Sequence, residues 1–157
     1  MTPACERLKK KDIKYTLHEY EHDANAIHFG LEAAEKLNLA PASVFKTLLV
    51  SDGKQLYVAV VPVTHNLSFK KAAKHFGVKK LCMAEPKEAE KSSGYLVGGI
   101  SPIAQKKALP TVIDDSAKEL VSIYISGGRR GLDIGIRATD LITVCDKAHF
   151  GDVKDNG

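Results

Sequence analysis

The sequence predicts an α+β fold, a mixed, barrel-like β-sheet surrounded by helices. Three observations predict it. Strand-like and helix-like segments are interleaved without the regular βαβ alternation of a doubly wound sheet. The strongest hairpin signal, two β-prone runs around Asp52-Gly53, stands near the centre of the chain. The 157 residues, 44% apolar and 27% charged, suit one domain, 1–157, with one core.

Residues 3–11 read as a first helix, with Thr2 as its cap and Pro3 in its first turn. Residues 15–21 alternate as a strand does. After Gly30, 31–37 are rich in helix formers, and Pro41 lies beyond their end. Residues 44–50 are strongly β-prone, and 55–63 form the second arm of the hairpin. Residues 68–76 read as an amphipathic helix capped by Ser68 and closed by Gly77. A short strand is expected within 78–83 and a helix over 86–91, opened by Pro86. Strands at 112–113, 121–125 and 132–136 precede a last helix at 138–144, and 151–157 read as a polar tail.

Composition narrows the function. No apolar run approaches the ~20 residues that cross a bilayer. The start, Met1-Thr2-Pro3-Ala4-Cys5-Glu6-Arg7, leads into Leu8 and Lys9-Lys10-Lys11 without the apolar segment of a secretory signal. A cytoplasmic protein with no membrane partner is expected. Cys5, Cys82 and Cys145 are odd in number and lack CxxC spacing, which argues against a disulfide scaffold or a zinc ribbon. The net charge of +4, from 23 Lys+Arg against 19 Asp+Glu, permits a polyanionic partner without demanding one. Basic clusters such as Lys79-Lys80 and Lys106-Lys107 read singly as solvated surface, and their recurrence beside Gly-rich loops keeps an RNA backbone in play. With 6% aromatics and no Trp, a base-stacking RNA module is disfavoured.

Four motifs carry candidate chemistry. His18-Glu19-Tyr20-Glu21-His22 matches H-E-x-x-H, which binds zinc only on a helix, where the two His lie ~6 Å apart along the axis. On a strand they would be ~13 Å apart, and the flanking residues suit a strand and loop, so no metal is expected. Lys46 stands in an otherwise apolar strand row with Val44, Leu48 and Val50. It is either an edge lysine that discourages aggregation or a cation at the rim of a pocket. Val97-Gly98-Gly99-Ile100-Ser101-Pro102 is either a tight turn or a loop whose amides stabilise an acyl oxygen. Ser126-Gly127-Gly128-Arg129-Arg130-Gly131-Leu132-Asp133 is either a hairpin turn with solvated arginines or a nest for a polar ligand group. It is neither a Walker A loop nor a dinucleotide fingerprint, and no serine stands in a G-x-S-x-G elbow.

Met1-Thr2-Pro3-Ala4, Phe45-Lys46-Thr47-Leu48-Leu49-Val50, Gly94-Tyr95-Leu96-Val97-Gly98-Gly99-Ile100-Ser101-Pro102, Gln105-Lys106-Lys107 and Ser126-Gly127-Gly128-Arg129-Arg130-Gly131-Leu132 resemble the YbaK/EbsC family, in its branch of Cys-tRNA(Pro) deacylases. The similarity runs in order from residue 1 to about 150. It implies the fold of the prolyl-tRNA synthetase editing domain. It implies a cofactor-free, metal-independent hydrolase of mischarged Cys-tRNA(Pro), with tRNA and prolyl-tRNA synthetase as partners. The family's essential lysine falls on Lys46. Its substrate-binding positions fall on Tyr20, Gly98, Ser126 and Asp133. The resemblance also implies that the thiol of the cysteinyl group attacks its own ester. Arg129 stands where relatives commonly carry lysine, and the Ser51-Asp52-Gly53 turn is shorter than some. The competing readings are a deacylase for another misacylated tRNA and a non-catalytic adaptor for tRNA or the synthetase.

Overall fold

A computed structural model of the chain describes residues 1–156. Its elements follow the chain as α1 (Pro3–Lys10), β1 (Thr16–Glu19), α2 (Phe29–Lys36), β2 (Phe45–Ser51), β3 (Leu56–Pro62), α3 (Phe69–Phe76), β4 (Cys82–Met83), α4 (Pro86–Ser93), β5 (Thr111–Asp114), β6 (Ile123–Arg129), β7 (Leu132–Ile136), α5 (Ala138–Val144) and β8 (Ala148–Gly151). The expected caps are in place. The Thr2 hydroxyl accepts from the Cys5 N–H, the Ser68 hydroxyl accepts from the Lys71 N–H, and Gly77 closes α3 in the left-handed region at φ 71°.

The strands form two sheets, ordered β1-β7-β6 and β4-β2-β3-β5-β8. The Asp52-Gly53 hairpin pairs β2 with β3 in antiparallel register, Lys46 opposite Val61. The Asp52 carboxylate accepts from the Lys54 and Gln55 amides to hold the turn. β5 pairs in parallel with both β3 and β8. The sheets meet at one isolated bridge, Val44 to Tyr124. The strands are thus mixed, as expected, but no closed barrel forms among the described residues, because that bridge is not continued along β2.

Alternation along β2 and β3 sends side chains into two cores. Phe45, Leu49, Val58 and Val60 join Ile123, Ile125 and Ile134 of the smaller sheet. Val50, Ala59 and Val61 pack on the other face against Ala72 and Ala73 of α3. Ala34 of α2 rests on Val44 and Val63, which places the start of α2 beside the bridge.

The polar tail is not a loose end, and β8 was not foreseen. Val153 is fully buried, Lys154 bridges Leu67, and the Asp114 carboxylate accepts from the amides of Val153 and Lys154. One apolar residue among charged ones gives no periodic signal. No helix among the described residues is long and apolar enough to cross a membrane.

Candidate active site

A cavity of about 370 Å³ opens between β2, the start of α2, β4 with α4, and the loop around Gly98. Lys46, Tyr20, Gly98, Ser126 and Asp133 all line it. Residues up to 113 positions apart in sequence are brought together by the meeting of the two sheets (20 to 133).

Lys46 owes its place to a gap in pairing. β3 covers one edge of β2 along its whole length. On the other edge Val44 bridges Tyr124, Val50 and Ser51 pair with Met83 and Cys82, and the Ala84 N–H donates to the Leu49 carbonyl at 3.0 Å. Residues 46–48, between those ties, form the cavity wall. β2 therefore lies inside its sheet and is locally open at the lysine. Burial pulls the Lys46 pKa below the ordinary lysine value, and the Asp155 carboxylate partly offsets this. A solvated guard lysine would feel neither effect, so the geometry favours the pocket reading.

Asp133 sits on the central strand of the smaller sheet, opposite His18 on one side and Ser126 on the other. It is 6% exposed, and burial pushes its carboxyl up to about 7. Tyr20 follows β1, with its N–H donating to the Gly131 carbonyl at 2.9 Å. Burial, then the Asp133 and Glu32 carboxylates, raise its phenol pKa. The Ser126 hydroxyl accepts from the Gly128 N–H at 3.2 Å, inside an irregularity of the β6–β7 ladder.

The two Gly-rich segments serve packing more than the sequence suggests. The Gly99 N–H donates to the Leu96 carbonyl, closing a turn, so that amide is not free for an acyl oxygen. A Cβ on Gly99 would lie 2.6 Å from the Arg129 Cα, so the two segments touch backbone to backbone. Ser126 to Arg129 continues β6 as a hairpin arm rather than an open nest. Of its arginines, Arg129 is exposed and pairs with Glu19, whereas Arg130 is turned inward.

Sequence reasoning missed Phe29, Glu32 and Arg130. The Arg130 guanidinium lies 4.1 Å from the centre of the Phe29 ring and 3.7 Å from a Glu32 carboxylate oxygen. It also donates to the carbonyls of Asp23 and Ala26. Only the i,i+3 spacing of Phe29 and Glu32 on α2 hinted that they share a face. The H-E-x-x-H residues do not form a helix: His18 lies in β1, with its Nε2 2.7 Å from the Thr16 hydroxyl. Among the described residues no three His, Cys, Asp or Glu side chains are grouped to hold a metal ion.

This arrangement can be set beside known proteins. Residues 27–144 match the family described as "Aminoacyl-tRNA editing domain". Tyr20 lies before that span. A relative from Enterococcus faecalis, EbsC, a proposed Cys-tRNA(Pro)/Cys-tRNA(Cys) deacylase, is 34% identical over 154 residues, covering 97% of this chain and 92% of its own. Among solved structures, the hypothetical protein APE2540 matches with a TM-score of 0.85 at 23% identity, over 98% of this chain and 99% of its own. A proposed trans-editing enzyme for prolyl-tRNA synthetase matches with a TM-score of 0.83 at 21% identity, over 99% of each chain. At those identities the solved structures establish the fold alone. The family span and the Enterococcus faecalis relative establish more: the chain belongs to the aminoacyl-tRNA editing domain family, in its YbaK/EbsC group.

Proposed function

We propose that the protein is a trans-editing deacylase that releases cysteine wrongly esterified to tRNA(Pro), acting beside prolyl-tRNA synthetase. The observation that carries this reading is the enclosed cavity in which one half-buried lysine faces a buried carboxyl. An aminoacyl ester is already activated, so placement and charge stabilisation suffice for its cleavage. Lys46 holds the acyl end and stabilises negative charge as it develops on the carbonyl oxygen. Gly98, with φ 94°, brings main chain close to the acyl group. Asp133 and Ser126 orient the substrate's amino group or terminal ribose, and Tyr20 closes that side.

The nucleophile in this proposal is the substrate's own thiol. Its sulfur attacks the ester carbonyl and the carbon–oxygen bond to the ribose breaks. The thiol proton ends on the ribose hydroxyl, and the products are a cyclic thiolactone and uncharged tRNA. Water then opens the thiolactone to cysteine. The protein's cysteines do not line the cavity, and burial pushes the Cys145 thiol up to about 12, far from a reactive thiolate.

Incubating the protein with tRNAs charged with cysteine, alanine and serine tests the proposal. Release of thiolactone and cysteine, fastest from Cys-tRNA(Pro), is the expected result. Faster release of alanine or serine would assign a different substrate. Binding of charged tRNA without release of any amino acid would leave an adaptor.

A further inference from the structure

We infer that Phe29 sets which acyl side chains fit the cavity, and that Arg130 is the positioning residue that keeps its ring in place. The inference rests on the deacylase reading and adds to it the part of the wall that measures the substrate.

Phe29 opens α2 and lines the cavity. Its ring is held from three directions. Beneath it, a Cβ on Gly98 would come within 3.2 Å of the ring, so glycine there lets the Gly98 loop press against the aromatic face. Above it lies the Arg130 guanidinium, 4.1 Å from the ring centre. Next to it, Gly30 packs so closely on Val63 that a Cβ would lie 2.3 Å from a Val63 methyl. The backbone at Phe29 therefore cannot shift toward or away from β3.

Arg130 is itself built in. Its side chain is 21% exposed, and its partner Glu32 is 6% exposed. The other oxygen of Glu32 takes the Asp23 N–H at 2.6 Å and the Lys36 ammonium at 3.4 Å. Arg130 thus ties the β6–β7 turn to the segment 23–26 and to the first turn of α2 at once. A lone solvated arginine has no such set of partners, and a lysine could not stack and fork in the same way.

A ring fixed in this way makes a hard boundary. Hydrophobic pockets discriminate by roughly 10- to 200-fold per methylene when the wall does not yield. A small acyl group such as cysteinyl fits without moving Phe29, and a longer one must displace it against Arg130 and Gly98.

The test compares kcat/KM for tRNA charged with methionine and with cysteine, across wild type, Phe29→Ala, Phe29→Leu and Arg130→Lys. The methionine-to-cysteine ratio is expected to rise at least ~10-fold in Phe29→Ala. It should rise less in Phe29→Leu, and in Arg130→Lys, where the ring remains but loses its stacking partner. A variant that only weakened the fold would lower both rates and leave the ratio unchanged. An unchanged ratio in Phe29→Ala with wild-type circular dichroism overturns the inference. If that variant does not fold, the same result in Phe29→Leu overturns it. Wild type that releases no amino acid from any charged tRNA overturns the deacylase reading itself, whereas an active wild type with an immovable ratio overturns only the role of Phe29.

Discussion

At the scale of the residue, the site turns on one amine and one carboxyl whose surroundings push both toward their neutral forms. Lys46 is depressed by burial, and Asp133 is raised to about 7 by the same cause. Neither is neutralised by a partner of its own at close range, and a substrate with an ammonium and a polarised carbonyl supplies what each lacks. Removing the amine tests this directly. Lys46→Ala should slow Cys-tRNA(Pro) deacylation ~10²- to 10³-fold, equivalent to ~3–4 kcal/mol of transition-state stabilisation. Single-turnover release of labelled cysteine, with a melting curve as the control, measures it. Lys46 was legible because its charge interrupts an apolar row. Asp133 was not legible from local pattern, and its assignment came through family resemblance. Nothing in a linear reading couples Phe29 to Arg130, because their contact depends on how two sheets dock.

At the scale of the element, close backbone contact decides which glycines matter. Gly99 lies against the backbone of Arg129 and Arg130 and so fixes the spacing between the Gly98 loop and the β6–β7 hairpin. Gly99→Ala should lower stability by about 1–3 kcal/mol through overpacking. It should also lower deacylation beyond what unfolding accounts for, since Gly98 moves with its neighbour. Urea denaturation and kcat/KM on the same preparation separate the two effects. The hairpin at Asp52-Gly53 was readable because turn chemistry and alternation agree there. β8 and the buried Val153 were not, because four residues and one valine carry too little periodicity. Their place is set by parallel pairing to β5, which sequence does not announce.

At the scale of the whole molecule, two carboxylates bias stability in opposite directions with pH. Burial alone would raise Asp114, but hydrogen bonds from Ser116, Val153 and Lys154 outweigh it and hold the pKa below 3.8. Its contribution is complete above that value and is lost as pH falls through the lower folded value. Asp133 does the reverse. Its native form binds a proton more tightly than the unfolded chain, so stability declines as pH rises from about 4 to about 7. The melting temperature should therefore peak in mildly acidic buffer. In Asp133→Asn the decline toward neutrality should flatten while the acid side is unchanged. Calorimetry from pH 3 to pH 8 reads both limbs, and a decline of undiminished slope in Asp133→Asn would contradict the assignment. The mixed architecture was legible from the interleaved elements, whereas its division into two sheets depended on a single bridge that no pattern foretells.

The pairing of Lys46 with Val61 carries one last consequence. Strand neighbours alternate between faces, so a slip of β2 by one position against β3 would send the ammonium to the opposite side and put Phe45 or Thr47 in its stead. Such molecules would keep their spectroscopic secondary structure and lack the reactive centre. Titrating active sites against total folded protein would therefore count misaligned hairpins.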